Sequence, residues 1–127
     1  MIPELQISEN EFLFEVIKNF DLSEVTVVNS GIGLAQQISS QLKCKTVFLH
    51  HDKDVVDFCR FNSENISCYC HNFIYGCDEQ TLKSIRNEMV VAEYVMEKLM
   101  SYQNWKVESV FNALSKISDR YVAVSFR

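Results

Sequence analysis

Three stretches of this sequence hold residues whose types and spacing can do chemistry. The first is Val28-Asn29-Ser30-Gly31-Ile32-Gly33-Leu34-Ala35. Glycines between a strand and a helix start leave no Cβ in the way. A polar or anionic ligand can then approach the backbone amides and the positive end of the helix dipole. The same pair of glycines can also do no more than make a tight turn. The second stretch is His50-His51-Asp52, directly after an apolar run. Two imidazoles beside a carboxylate have the makings of proton transfer or metal binding, and equally of a polar strand terminus. The third is Cys68-Tyr69-Cys70-His71, with Cys77 nearby. Its Cys-x-Cys spacing is not the Cys-x-x-Cys of a zinc site and no second pair follows, so no metal is expected. Asp52, Asp54 and Asp57 read as one solvated helix face rather than a cation cluster.

These residues need elements to position them. Ser8-x-x-Glu11 is a capping box that opens a helix to about Phe20, with Phe12, Leu13, Val16, Ile17 and Phe20 on one face. After a turn at Asp21 to Glu24, Val25-Thr26-Val27-Val28 reads as a strand too continuously apolar to be half exposed. The glycine turn leads into a helix to about Leu42, with Leu34, Ile38 and Leu42 inward. Thr46 to Leu49 is a second buried strand, Asp52 to Phe61 a short helix, and Ile66 to Phe73 a third strand. Strand and helix alternating with short links imply right-handed crossovers and a parallel sheet. From Asp78 to Tyr102 the steps Leu82, Ile85, Met89, Ala92, Met96, Leu99 predict one long amphipathic helix. A helix from about Trp105 to Ile117 and a strand from Tyr121 to Phe126 follow. The expected architecture is an α/β, three-layer Rossmann-like parallel sheet of about four or more strands, formed by residues 1–127 as a single domain.

Composition narrows the function classes. The chain has 127 residues, 47% hydrophobic, with one proline and three glycines, which allows a real core and no long flexible linker. The net charge is −5 and the 12 basic residues are scattered, so direct nucleic-acid binding is not favoured. No apolar run approaches a membrane span, and the acidic start MIPELQISENE lacks the regions of a signal peptide. The five cysteines are expected to be reduced thiols of a cytoplasmic protein, mostly filling core space.

Residues 25 to 73 resemble the first half of a class I S-adenosylmethionine-dependent methyltransferase. That family's first motif, acid-x-Gly-x-Gly-x-Gly, aligns with Asn29-Ser30-Gly31-Ile32-Gly33-Leu34-Ala35. Its second strand runs on into an acid and a helix, as His50-His51-Asp52-Lys53-Asp54-Val55-Val56 does here. Its third strand ends beside the adenine, where this chain has Asn72-Phe73. The resemblance implies S-adenosylmethionine as cofactor. It implies binding by Asn29, Ser30, Gly31 and Gly33 at the first motif, by His50, His51 and Asp52 at the ribose, and by Asn72 and Phe73 at the adenine. The departures share one direction: Asn29, His50 and Asn72 stand where the family has carboxylates. A hydrogen bond to a charged group contributes roughly 1.5–3 kcal/mol and a neutral one about 1, so losing several weakens binding on the order of 100-fold. The family's Asn-Pro-Pro-Tyr or Asp-Pro-Pro acceptor pattern is absent, Pro3 being the only proline. A full methyltransferase sheet has seven strands, of which four are readable here.

The expectation is therefore a degenerate methyltransferase-like domain without its own catalysis. It would act as a partner-binding or regulatory subunit, in contact with a protein partner or a second copy. An active or partner-completed methyltransferase, and a small α/β interaction domain whose glycines only turn the chain, are the alternatives. "SGIGLA" also resembles the nucleotide turn of short-chain dehydrogenases, and Tyr102-x-x-x-Lys106 has their Tyr/Lys spacing. The leading Thr-Gly is absent, however, and Asn104-Trp105 breaks the helix such a pair needs.

Overall fold

The computed structural model describes residues 13–28, 30, 32–71, 79–93 and 107–125. A helical segment, α1, covers residues 13–17. Then follow β1 (Glu24–Val28), α2 (Ile32–Gln37), β2 (Lys45–His50), α3 (Lys53–Asn62), β3 (Ile66–Cys70), α4 (Glu79–Ile85), β4 (Asn87–Glu93), α5 (Val107–Lys116) and β5 (Ser118–Ser125). The strands form one sheet in the order β3-β2-β1-β4-β5. Every adjacent pair is parallel.

The register explains the continuous apolar runs. On one face Cys68, Phe48, Val27, Val91 and Ala123 lie in a row across all five strands. They belong to the core that α1, α2 and α3 cover, with Leu13, Ile17, Leu34, Ile38, Val56 and Cys59. On the other face Tyr69, Leu49, Val28, Ala92 and Val124 form the parallel row. This second core is closed by Leu82 and Ile85 of α4 and by Phe111 and Leu114 of α5. A parallel sheet covered on both faces cannot alternate apolar and polar residues, which is why its inner strands read as unbroken hydrophobic stretches. Each fully buried Val, Leu, Ile or Phe contributes about 1.5–3 kcal/mol relative to exposure.

The Asp78–Tyr102 helix of the sequence reading is corrected. The chain is helical only over Glu79–Ile85 and becomes a strand at Asn87. The helical step from Leu82 to Ile85 to Met89 to Ala92 is a coincidence of spacing. Met89-Val90-Val91-Ala92 is an unbroken buried run in a strand flanked by β1 and β5, and such a run has no periodicity to distinguish it. No glycine or proline marks the change, because the link is the single residue Arg86. Its amide closes the helix on the Leu82 carbonyl (2.9 Å), and the Asn87 amide bonds to the Ile117 carbonyl (3.3 Å). The sheet thus has five strands rather than the four read from sequence, and the second half of the chain extends the sheet instead of replacing it with helices. Met89 is buried as expected, on a strand, while Met96 and Met100 lie outside the described residues.

Two other differences are local. On α1 the buried residues are Leu13, Phe14 and Ile17, whereas Val16 is 42% exposed, so the inward face is rotated from the predicted one. Phe20 is 38% exposed and packs edge-on against Tyr121 of β5 at 4.9 Å. The Ser8 capping box lies outside the described residues. After Gln37 the helix widens into a π-helical stretch, Ile38–Leu42, and Lys43 ends it in the left-handed region at φ 55°. Among the described residues no helix is long and apolar enough to cross a membrane.

Two polar contacts tie the halves of the sheet together. Buried Thr26 on β1 donates its hydroxyl to the Ile85 carbonyl and accepts from Asn87 Nδ2 at 2.8 Å, pinning the α4–β4 junction to the central strand. At the start of the strands the Ser23 amide and hydroxyl both donate to Glu88 Oε1, and Arg120 lies 3.8 Å from Oε2. Ser23's hydrogen bonds, helped by Arg120, hold the Glu88 carboxyl below the usual carboxylate range. Thr26→Val keeps the shape but removes both bonds of the hydroxyl, and is expected to cost about 1–3 kcal/mol in urea unfolding. The lowered Glu88 pKa means its contribution is complete above the unfolded carboxylate pKa and is lost as pH falls through the folded one. Glu88→Gln should therefore flatten the loss of thermal stability on acidification below about pH 4.5, the ordinary glutamate range.

Candidate functional site at the carboxyl edge of the sheet

In a parallel sheet all strands deliver their carboxyl ends to the same edge. Here β1 and β2 end at Val28 and His50, and β3 and β4 at Cys70 and Glu93. The chain steps from β1 outward to β2 and β3, with α2 and α3 over one face. It then returns through α4 on the other face to place β4 on the opposite side of β1. The crevice between β1 and β4 is thus the topological switch point, where open α/β sheets take their ligands.

Of the residues the sequence singled out, Ser30, Gly33, His50, His51 and Asp52 are described, and Asn29, Gly31, Asn72 and Phe73 lie outside the described residues. Ser30 is almost fully buried at 5% exposure, directly beyond β1. Gly33 is the exposed second residue of α2. The end of β2 is more elaborate. The His50 ring stacks between Phe48 (5.8 Å) and His51 (4.7 Å), with 18° between the planes in each case. His50 Nδ1 accepts the Asp52 amide at 3.0 Å. In the neutral imidazole an accepting Nδ1 puts the proton on Nε2, so the network assigns His50 the tautomer that donates from its outer nitrogen. Asp52 is occupied as well: it is the N-cap of α3, its Oδ1 accepting the Asp54 amide at 2.9 Å. The loop that turns β2 into α3 is therefore held by the side chains of both residues.

Pairing of β2 with β3 adds residues that spacing alone did not reveal. His50 is level with Cys70, and the His71 amide donates to the His50 carbonyl at 3.0 Å. The exposed Cys70 thiol lies 3.7 Å from the His51 carbonyl. All three histidines of the chain thus meet at one corner of the sheet. The signal for His71 was the strand register, which is not written in the local sequence. Among the described residues no group of three or more His, Cys, Asp or Glu side chains is arranged to hold a metal ion. Asp57 on α3 instead pairs with Lys53 at 2.7 Å and Arg60 at 3.6 Å, as expected of a solvated face.

No protein-family model matches this sequence, and no curated protein matches it. Solved structures do. The methyltransferase domain of a bacterial Hen1 superimposes with a TM-score of 0.70 at 13% identity, covering 94% of this chain and 65% of that one. Magnesium protoporphyrin IX methyltransferase from Synechocystis, solved with bound S-adenosylmethionine (SAM), gives 0.69 at 12% identity, covering 94% of this chain and 57% of the other. Coclaurine N-methyltransferase, bound to N-methylheliamine and S-adenosylhomocysteine (SAH), gives 0.68 at 13% identity, covering 94% and 34%. The chain spans less than two thirds of the length of each of these structures. Its five-stranded parallel sheet with helices on both faces is the methyltransferase-like form of the Rossmann-like fold.

Proposed function

We propose that this chain is a methyltransferase-fold domain with weakened adenosyl-cofactor binding that works as a partner-binding subunit rather than as a catalyst by itself. The observation that carries this reading is the polarity at the end of β2. A ribose diol is held most strongly by an ionised acceptor. His50 has spent its Nδ1 lone pair on the Asp52 amide, and Asp52 has turned its Oδ1 onto the α3 amide of Asp54. His50 thus commits its ring acceptor, and Asp52 one of its two carboxylate oxygens, to their own loop, and no carboxylate stands at the position of His50. A cofactor ribose would be held here with fewer charge-assisted hydrogen bonds than a dedicated carboxylate gives.

The partner surface in this reading is the outer edge of β5. Among the described residues β5 pairs as a strand with β4 alone, and its Tyr121 to Val124 are half-buried rather than covered. A strand edge with unpaired amides and carbonyls takes an added strand from another polypeptide, with side-chain pockets giving specificity.

Calorimetry and thermal shift with SAM and SAH test the cofactor half. The expected outcome is little or no stabilisation at millimolar ligand. A melting shift equivalent to about 2.7 kcal/mol, that of a ligand at 100 times its Kd, would overturn it. His50→Asp returns a carboxylate to the ribose position. It is expected to tighten SAM binding about tenfold, the difference between a charged and a neutral hydrogen bond. Affinity purification of the full chain from its own cells tests the partner half. The expected result is a stoichiometric protein partner released by charged substitutions at Val122 and Val124. Light scattering that shows a homo-oligomer would reassign the edge to a second copy, and a monomer with no partner would sink it.

A further inference from the structure

A second arrangement of reactive groups lies away from this corner, in the core between α3 and the edge strand β3. Cys59 of α3 and Cys68 of β3 are both buried, and their sulfurs are 3.0 Å apart, the Cys68 thiol donating to Cys59 Sγ. Two sulfurs at that separation need to close by only about 1 Å to reach a disulfide bond. Their elements are already in place: α3 packs along β3 through Val56 and Cys59 against Ile66 and Cys68, and Arg60 Nη2 donates to the Cys68 carbonyl at 2.8 Å. The other described cysteines are placed differently. Cys44 sits at the start of β2 with its thiol on the Leu22 carbonyl, and exposed Cys70 faces the His51 carbonyl.

We propose that Cys59 and Cys68 are a peroxide-oxidisable dithiol, and that their disulfide staples α3 to the edge strand β3. The oxidant is hydrogen peroxide, because it is about the size of water, and with Cys59 fully buried and Cys68 only 6% exposed the pair gives no access to a bulky disulfide. One thiol of the pair gives up its proton and its sulfur attacks one peroxide oxygen; the O–O bond breaks, the leaving hydroxide takes up that proton as water, and the attacking sulfur becomes a sulfenic acid. The second sulfur then attacks the sulfenic sulfur; the S–S bond forms, the S–O bond breaks, and water leaves with the second thiol's proton. The sum is two thiols and one peroxide to one disulfide and two waters. Burial and the Cys59 contact push the Cys68 thiol up to about 12.

The full chain, treated with hydrogen peroxide and then alkylated under denaturing conditions, tests this. Trypsin cuts after Arg60, so Cys59 and Cys68 fall on separate peptides, 54–60 and 61–83, which a disulfide joins. The expected product is that joined pair, lighter than the two reduced peptides by about two hydrogens. It should persist in Cys70→Ser and Cys77→Ser and disappear in Cys59→Ser. Closing a ten-residue loop should raise the melting temperature by about 5 °C or more, reversibly on addition of dithiothreitol. Cys59 recovered as the free thiol while Cys70 is oxidised, or a link that runs to Cys70 or Cys77 instead, overturns the proposal. Fragmentation of the joined wild-type pair, which places the bridged sulfur at Cys68 or at Cys70 or Cys77 of the same peptide, decides this even if a cysteine variant fails to fold.

Discussion

The structure depends on β1 being buried on both faces and paired on both edges. Val25, Val27 and Val28 have no exposed surface, and parallel partners lie on either side, β2 along one edge and β4 along the other. A strand in that position leaves no freedom elsewhere. Its neighbours must reach it by crossovers, the crossovers must be right-handed, and the helices must divide between the two faces. The division observed, α1 to α3 on one side and α4 with α5 on the other, follows from adding strands first to one flank of β1 and then to the other. The switch point beside β1 is a product of the same constraint, so the place of the site is settled by packing before any chemistry is considered.

What the site can do is then a matter of polarity. The end of β2 carries a stacked imidazole whose acceptor nitrogen is turned back on its own loop. The Asp52 carboxylate that follows caps α3, an N-cap typically worth about 1 kcal/mol. Stability of the β2–α3 turn and availability of acceptors for a ligand draw on the same few atoms. The fold likeness to enzymes solved with SAM or SAH and the altered polarity of this corner are compatible, because fold is set by the apolar rows across the sheet and function by the residues at their ends.

The β3 margin shows a related division. Cys68 and Cys70 point to the same face of the strand, yet one is buried under α3 against Cys59 and the other is exposed beside the histidine corner. Two positions along an edge strand separate a core thiol pair from a solvent-facing thiol, because the helix covering the strand begins only at Lys53 and does not reach the strand's end.

The sequence by itself determined the fold class, the three strands that precede residue 71 and their parallel direction. It did so because alternating strands and helices with short links have one handed way to pack, and because Val25 to Val28 and Thr46 to Leu49 carry no polar alternation. It also singled out His50 and Asp52, which the structure puts at the end of β2 and at the start of α3. It misread β4, since Leu82, Ile85, Met89 and Ala92 satisfy a helical period and nothing local signals that Arg86 ends the helix. Only the tertiary structure made that segment a strand, by supplying β1 and β5 as partners whose hydrogen bonds and buried faces outweigh local propensity. It alone also decided that His50 turns inward to the Asp52 amide, that His71 joins the same corner, and that Cys59 meets Cys68. Each of these depends on register and on which helix covers which strand, and a linear pattern holds neither.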